Sequence, residues 1–280
     1  MVREPLELQE SAGIKLFHFR GWNELHQASH GSRLSVGFTS RIGGLNVALH
    51  VNDDENAVIQ NRRLLGRTLG IEPERWVCAE QVHGKHIEHV GRHACGAGFL
   101  HLSDAVPGTD GLMTDESGVW LTSFYADCVP LYFYDPIHGA IAVAHAGWRG
   151  TVADMAGQVV DSMERRYGSK AAELRALIGP SIGACCYEVD EFVADKVAEL
   201  LSFDSATEHV LQSSIGSVGK YMLDLKRCNQ LLMMKAGLLS DHIEMSQWCT
   251  SCRTDLFFSH RAEQGKTGRM AAWIYMDDEM

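Results

Sequence analysis

The chain has 280 residues, of which 45% are hydrophobic and 22% are charged, and this is the composition of a folded globular protein with room for one large or two ordinary domains. Its formal net charge is -11, so it offers no general basic surface to a nucleic-acid backbone. An anionic ligand would need a local group of arginines or backbone N–H groups.

Neither the N-terminal segment nor the cysteines indicate export. Residues 1–17 lack an apolar core flanked by basic residues, and no window approaches the roughly eighteen apolar residues of a membrane-spanning helix. The eight cysteines are scattered along the chain, unlike the framework of a small secreted domain. We therefore expect a cytoplasmic protein with reduced thiols, and neither nucleic acid nor a membrane as its partner.

The apolar pattern predicts strands and helices that alternate along the chain. The predicted strands are short apolar runs over residues 34–39, 75–82, 119–125, 131–135, 140–147, 173–180, 242–245 and 270–275. The predicted helices cover residues 53–70, 151–168, 190–201 and 221–237. The composition of residues 92–107 and 203–220 predicts loops. No linker separates two domains, so we expect one domain over 1–280 with residues 1–30 as a peripheral segment.

Residues 40–44, Ser-Arg-Ile-Gly-Gly, form the first candidate binding feature. The two glycines allow backbone N–H groups to approach a ligand closely, and Arg41 beside them could hold an anion such as phosphate. A tight turn with a solvated arginine is the alternative interpretation.

The stretch from residue 120 to 150 concentrates the reactive side chains. It places Asp127, Cys128 and His145 at the ends of apolar runs that predict buried strands, so these groups would lie on stiff elements. His83 has the same context at the end of the strand predicted over 75–82. The nearby His86, His89 and His93 lack this context. Residues three apart on an extended strand also point to opposite faces, so these histidines would not all face one metal.

Two chemistries use the same side chains. His83, Cys128 and His145 supply two imidazoles and a thiolate, a set that suits zinc with a fourth position open. Alternatively, Cys128 is a nucleophile and His145 its base, oriented by Asp127 or another acceptor. A small buried hydrophobic residue is the ordinary role of a free cysteine and remains a third interpretation of Cys128.

Cys249-x-x-Cys252 has the spacing of half a structural zinc site. Completion of that site by the adjacent pair Cys185 and Cys186 looks sterically awkward, and a redox role lacks a thioredoxin-like context. We therefore expect Cys249 and Cys252 to be unpaired structural cysteines.

Six motifs in order along the chain resemble the laccase-domain family, whose members have long been labelled polyphenol oxidases and are now regarded as zinc-dependent purine nucleoside enzymes. The resemblance extends from about residue 39 to residue 275. The motifs are CAEQVHG at 78–84, TDGLMTD at 109–115, ADCVPLYFYDP at 126–136, AHAGWRGTV at 144–152, IGPSIGACCYEV at 178–189 and TGRMAAWIY at 267–275.

The resemblance implies a single α+β domain, layered α/β/β/α with mixed sheets. It also implies a Zn²⁺ ion held by His83, Cys128 and His145, each of which stands in a matching motif. The run TSRIGG at 39–44 resembles an Arg-Gly-Gly loop of the family, which strengthens Arg41 as an anion site. The run Ser-His-Arg-Ala at 259–262 departs from the Tyr-Arg-Arg pattern that the family often has there.

The implied activity is phosphorolysis of adenosine, inosine, guanosine and methylthioadenosine, with adenosine deamination as a second activity. Purine nucleosides and phosphate are then the expected partners, in a monomer or homodimer. Asp127 would assist water activation near the metal, and Arg41 and Arg149 would hold the phosphate.

Two other activities remain open. A copper-dependent polyphenol oxidase is supported by the older family label, and copper can occupy such a site in vitro, although the chain lacks the His-x-His pairs of a multicopper cluster. A cysteine hydrolase would use Cys128 and His145 without a metal.

Overall fold

Three β-sheets form the framework of the fold in a computed structural model that describes residues 3–202 and 207–278. Strands and helices are numbered here in chain order. The first sheet has six strands, which from edge to edge are β1 (Leu6–Ser11), β2 (Ile14–Phe19), β3 (Leu34–Thr39), β15 (Met270–Met276), β7 (Trp120–Tyr125) and β4 (Trp76–Cys78). Its neighbours are antiparallel except for β4 and β7.

The other two sheets complete the β-structure of the described residues. The second sheet has the order β14 (Ile243–Met245), β10 (Arg175–Ile178), β8 (Val129–Asp135), β9 (Ala140–Ala146), β6 (Gly111–Thr114) and β5 (Ile87–His89). It mixes parallel and antiparallel pairs. The third and smallest sheet contains β11 (Glu188–Asp190), β13 (Lys220–Leu223) and β12 (Leu211–Ser213).

Helices cover the outer faces of the two large sheets. Those in the described residues are α1 (Asn23–His30), α2 (Glu55–Leu69), α3 (Trp148–Val152), α4 (Met155–Tyr167), α5 (Glu191–Leu200), α6 (Thr207–Val210) and α7 (Leu225–Lys235). Short 3₁₀ helices lie at Pro73–Arg75, Arg92–Ala94, Leu102–Asp104 and Ser240–His242. None of the helices in this described part is long and apolar enough to cross a membrane.

Strict alternation along the central strands sorts their side chains into layers. In β15, the even-numbered residues from Met270 to Met276 pack between the two large sheets, and the odd-numbered residues from Ala271 to Tyr275 pack in the core that α2 covers. In β8, Leu131 and Phe133 instead face the core beneath α4 and α7. The layers are therefore helix, sheet, sheet and helix, which confirms the predicted α/β/β/α architecture of a single mixed α+β domain.

Local sequence signals fix several boundaries. Asp54 caps α2 by accepting the N–H of Ala57 at 2.8 Å, and Gly70 ends the helix with φ 68°. The single helix predicted over 151–168 is instead two helices, α3 and α4. They separate at Asp154, which adopts φ 59° and caps α4 by accepting the N–H of Gly157 at 3.1 Å.

Two further predictions need correction. The helix predicted over 221–237 begins only at Leu225, because residues 220–223 pair with both β11 and β12. The loop predicted over 203–220 contains α6 and β12, while residues 203–206 of it lie outside the described residues. Within the segment 1–30 that we expected to be peripheral, β1 and β2 form an edge of the first sheet.

Candidate metal centre and active-site cavity

Cys128 and His145 come together because the strands that carry them are neighbours. His145 lies in β9, and Cys128 immediately precedes β8, whose Pro130 pairs with His145 in the antiparallel ladder. His83 reaches the same place from the connection between β4 and β5. The ligand atoms of the three residues lie within 4.8 Å of one another. Two imidazoles and a thiolate so placed could hold a metal ion.

Asp110 organises this group, although the sequence pattern did not single it out. Its carboxylate accepts the backbone N–H groups of His83 at 2.9 Å and of Gly84 at 2.7 Å. It also contacts Nδ1 of His145 at 3.1 Å, which leaves Nε2 of that ring for Cys128 or a metal. The available signal was its position in the TDG motif at 109–111.

His83 does not stand at the end of a long strand as predicted. The strand β4 stops at Cys78, and both Gln81 and His83 have positive φ, 62° and 61°. Beyond Cys78, the side chain of Gln81 replaces backbone pairing: Nε2 donates to Phe124 O at 2.8 Å, and Oε1 accepts from Phe124 N at 2.7 Å. The strand β4 is therefore shorter than predicted, because the side chain of Gln81, and not its backbone, pairs with β7.

Burial and charge act against each other at Cys128 and His145. Burial raises the pKa of the Cys128 thiol, but the His145 and His83 imidazoles outweigh it and the pKa is lowered. Burial lowers the pKa of His145, but the Cys128 thiolate and Asp110 outweigh it and the pKa is raised. A Cβ at Gly147 would lie 3.0 Å from Cys128 Sγ, which is closer than ordinary van der Waals contact, so a larger residue there would crowd the thiol.

A cavity of about 530 Å³ opens beside the three residues, all of which line it. His83 is exposed on its wall, so a bound molecule could reach the free side of the ligand group. The wall also carries aromatic and cationic side chains: Phe124, Trp148, Tyr187, Arg149, Arg261 and Arg269. This combination suits a ligand with a planar ring and an anionic group.

Asp127 lines the cavity, but its carboxylate is already occupied. Thr250 Oγ1 donates to Oδ1 at 2.6 Å, while Ser259 Oγ and Arg261 N donate to Oδ2 at 3.1 and 2.7 Å. The residue is buried and has φ 85°. Its two carboxylate oxygens therefore join chain segments that are far apart in the sequence, and their acceptor positions on these sides are taken.

The structure separates the two arginines that we predicted to bind phosphate. Arg149 lines the cavity, where it is exposed and lies over the Trp148 ring at 4.7 Å. Arg41 does not line it. Its guanidinium donates to Thr254 O at 2.9 Å and pairs with Glu263 at 2.9 Å.

Two cavity arginines were not singled out from the sequence. Arg269 lies in the TGRMAAWIY motif, and its Nη1 donates to Thr267 O at 2.8 Å and to Gly268 O at 3.0 Å. Among the described residues it forms no ion pair with a carboxylate. Arg261 donates to Cys186 O at 3.3 Å and lies over the Tyr187 ring at 5.1 Å. Arg261 stands in the run where the sequence departs from the family pattern.

A second group of potential metal ligands lies next to the cavity. The thiols of Cys185, Cys186, Cys249 and Cys252 all lie within 4.8 Å of one another, an arrangement that could bind a metal. Our expectation that the two cysteine pairs are too awkwardly placed to form one site is therefore wrong. The turn that Gly183 begins, with Cys186 N and Tyr187 N both donating to Gly183 O at 3.0 Å, brings both adjacent thiols towards Cys252.

The layered fold and this site define a protein of the laccase-domain class. Residues 32–277 match the family model described as multi-copper polyphenol oxidoreductase laccase, and the chain belongs to that family. The resemblance inferred from the six motifs is thereby confirmed.

Relatives within the family carry a different description. A protein of Geobacillus stearothermophilus named purine nucleoside phosphorylase YlmD is 44% identical over 87% of this chain and 90% of its own length. Its namesake in Bacillus subtilis is 38% identical over 92% of this chain and 93% of its own length. The crystal structure of YlmD from Geobacillus stearothermophilus matches with a TM-score of 0.89 at 39% identity, covering 99% of this chain and 100% of that one.

Proposed function

We propose that this chain is a zinc-dependent purine nucleoside phosphorylase that acts on adenosine, inosine, guanosine and methylthioadenosine, with adenosine deaminase activity as well. The observation that carries the proposal is a His-Cys-His group within 4.8 Å on the wall of a cavity that also presents arginines and aromatic rings. The names of the relatives supply the reaction class.

The three residues fit a zinc ion by their chemistry as well as their spacing. The carboxylate of Asp110 orients His145 through Nδ1, as carboxylates commonly do for metal-binding histidines. The thiol of Cys128 already has a lowered pKa, which favours the thiolate that a metal requires. His83, Cys128 and His145 would hold the ion, and the ion would supply Lewis-acid chemistry on the cavity side.

Phosphorolysis needs an oxygen of phosphate to bond to the ribose anomeric carbon while the bond from that carbon to the purine nitrogen breaks. Arg149 and Arg269 are our candidates for holding phosphate, because both line the cavity and neither forms an ion pair with a carboxylate among the described residues. Trp148 and Tyr187 offer faces against which a purine could stack. Arg41, the other arginine that we first considered, pairs with Glu263 outside the cavity lining.

The departing purine needs a proton, and deamination needs a base near the reacting carbon. Glu80 is our candidate for proton transfer, since it lines the cavity, is exposed and uses Oε2 to accept the N–H of Gly108 at 2.8 Å. Asp127 was our first choice for assisting water activation in deamination, and we had assigned no proton donor to the departing purine. Its three hydrogen-bond donors favour a positioning role next to Cys128 instead.

A cysteine hydrolase is the second candidate function. Cys128, His145 and Asp110 form a chain of thiol, imidazole and carboxylate, with Asp110 in the orienting role. Alkylation separates the two functions. If Cys128 binds zinc, iodoacetamide should modify it slowly in metal-replete protein and quickly after chelation, whereas a free nucleophile would react equally in both.

The test of the main proposal joins metal analysis to chromatography of adenosine reactions with and without phosphate. We expect phosphate-dependent release of adenine and phosphate-independent formation of inosine. Metal-replete protein that yields neither product would overturn the proposal. Oxidation of phenols by copper-loaded protein, with no nucleoside reaction in zinc-loaded protein, would favour the polyphenol oxidase.

Matched histidine variants make the same assay specific to the site. His83→Gln removes one predicted ligand and should abolish both reactions. His86→Gln alters an exposed histidine on the same connection, which contacts Glu88 at 3.0 Å, and should keep both. Equal loss in the two variants would show that the connection, rather than the ligand, was disturbed.

A further inference from the structure

We propose that Cys185, Cys186, Cys249 and Cys252 bind one Zn²⁺ ion as a tetrathiolate centre that fixes the two chain segments carrying Tyr187 and Arg261 at the cavity. This centre is separate from the His-Cys-His group and shares no residue with it. The proposal does not depend on the reaction that the cavity catalyses.

The spacing of the sulfur atoms supports a bound ion. A tetrahedral zinc site with Zn–S bonds of about 2.3 Å places its sulfurs roughly 3.8 Å apart. Here Cys252 Sγ lies 3.4 Å from Cys185 Sγ and 3.3 Å from Cys186 Sγ, and all four sulfurs lie within 4.8 Å. These separations exceed the disulfide bond length of about 2.05 Å. On binding, each thiol releases its proton to solvent and its sulfur bonds to the ion.

The surrounding backbone also suits a thiolate site. Gly183 N donates to Cys249 Sγ at 3.2 Å, which is the kind of outer hydrogen bond that stabilises a sulfur ligand. A side chain at Gly183 would bring its Cβ within 3.3 Å of both Cys185 Sγ and Cys249 Cβ. The buried ammonium of Lys226 donates to the carbonyl of Trp248 at 3.0 Å, one residue before Cys249.

The two segments that meet at the cysteines also meet at the cavity. The backbone of Ser181 pairs with that of Cys249, and Thr250 N donates to Ser181 O at 3.0 Å. Tyr187 directly follows Cys186 and lines the cavity, and Arg261 donates to Cys186 O at 3.3 Å. An ion at the cysteines would therefore hold these two cavity residues in place.

Both segments also bind Asp127, the neighbour of Cys128. Ile182 N donates to Asp127 O at 3.0 Å, while Thr250 Oγ1 and Arg261 N donate to its carboxylate. Loss of an ion from the cysteines should thus loosen the cavity wall without removing a ligand of the His-Cys-His group. We expect a higher KM for nucleoside at a less affected kcat if the cavity catalyses the proposed reaction.

Metal analysis of full-length variants tests the proposal without reference to activity. Wild-type protein should carry two Zn²⁺ per chain, the Cys185→Ser/Cys252→Ser variant one, and the His83→Gln variant one. Cys95→Ser is the control and should carry two, since Cys95 lies outside both groups. If the double variant does not fold, the single variant Cys252→Ser should show the same loss of one ion.

Cobalt substitution identifies the ligands of the retained ion. In the His83→Gln variant loaded with Co²⁺, the thiolate-to-cobalt charge-transfer absorption should have the intensity of four Co–S bonds. In the Cys185→Ser/Cys252→Ser variant it should have about a quarter of that intensity, from Cys128 alone. The proposal is overturned if His83→Gln carries no ion, if the cysteine variants keep the wild-type metal content, or if mass analysis finds a disulfide among the four cysteines instead of metal.

Discussion

At the scale of single residues, Asp110 determines how the His-Cys-His group is held. Its two carboxylate oxygens contact the backbone N–H groups of His83 and Gly84 and the ring of His145. One side chain thereby joins His83 to His145, which lies 62 positions further along the chain. It is fully buried. Burial raises its pKa, but the hydrogen bonds from His145 and Gly84 outweigh burial, and the net shift is downward.

Replacement of Asp110 by Asn should weaken metal binding at His83, Cys128 and His145. The amide keeps the shape of the side chain but loses the charge and one acceptor, so we expect a decrease of about 10- to 100-fold in affinity. Competition with a chromophoric chelator measures this decrease. Asp115→Asn, an exposed change beside His89, serves as the control and should have no effect.

Replacement of a cavity arginine should weaken the use of phosphate, whereas replacement of Arg41 should change only stability. Arg269→Met removes a half-buried cation beside the proposed reaction centre, and the loss of a charge-assisted hydrogen bond of about 1.5–3 kcal/mol should lower kcat/KM for phosphate about 10- to 100-fold. Arg149→Met should act in the same direction. Arg41→Met breaks an ion pair with Glu263 and should change stability, with the KM for phosphate unchanged. Phosphate titrations at saturating nucleoside distinguish these outcomes; a raised KM in Arg41→Met would restore our first assignment.

At the scale of elements, the sequence predicts the strands that carry reactive residues better than the connections between them. The strand over residues 34–39 is found with the predicted bounds, because its apolar residues are buried on a central strand. By contrast, β4 is short because Gln81 takes over its pairing, and α3 separates from α4 because Asp154 adopts a left-handed conformation. Both boundaries depend on the contacts of one side chain or the conformation of one residue, and a pattern of apolar residues does not encode either.

The candidate site divides in the same way. His83, Cys128 and His145 were grouped by their predicted places at strand ends and by their ligand types, and the resemblance strengthened that grouping. Asp110 and Arg269 were missed, although both stand in the motifs of the resemblance. Their roles depend on which atoms they meet across the chain. The cysteine cluster was missed because we judged adjacent cysteines by their spacing alone, whereas the turn begun by Gly183 directs both thiols to one side.

Helix α1 gives the fold a pH-dependent attachment. His26 is buried against β8, with Nδ1 3.1 Å from Tyr134 OH and Nε2 3.1 Å from Ser32 Oγ. Burial, and then the nearby His30, lower its pKa from 6.5 to about 4. The unfolded chain therefore takes up a proton below pH 6.5 while the folded chain does not, so stability from this residue is complete above pH 6.5 and is lost as the pH falls towards 4.

Between pH 7.5 and pH 5 this residue should contribute a loss of about 2 kcal/mol in the free energy of unfolding. Urea denaturation at the two pH values measures it. The His26→Gln variant should lose less stability than wild type over the same interval, while His101→Gln, an exposed change, should follow wild type. Parallel losses in wild type and His26→Gln would show that another group causes the pH dependence.

At the scale of the whole molecule, hydrogen bonds cross the apolar layer between the two large sheets. Tyr132 in β8 donates its hydroxyl to Gly37 O in β3 at 2.7 Å, and Tyr125 in β7 donates to Ala144 O in β9 at 3.0 Å. Both rings are buried. Each bond satisfies a hydroxyl that burial would otherwise leave unpaired. Because each bond joins a strand of one sheet to a strand of the other, the two bonds help to hold the sheets in register.

Tyr132→Phe should lower the free energy of unfolding by about 1 kcal/mol, because it removes the bond but keeps the ring. Tyr132→Ala should lower it by about 3–5 kcal/mol, since a cavity then opens between the sheets. Equilibrium urea denaturation gives both values, with Tyr221→Phe in β13 as a near-neutral control. Equal losses in the Phe and Ala variants would contradict the assignment of the larger cost to the ring.

The position of the His-Cys-His group relative to these sheets has a mechanical consequence. Asp127 and Cys128 lie where the chain leaves the first sheet at β7 and enters the second at β8, and His83 lies in another such passage, between β4 and β5. The His-Cys-His group therefore lies at the boundary between the two large sheets. If the two sheets moved apart, the ligands would separate before any helix or strand unfolded. A metal bound there would therefore crosslink the two sheets, and its release would report their separation at the start of unfolding.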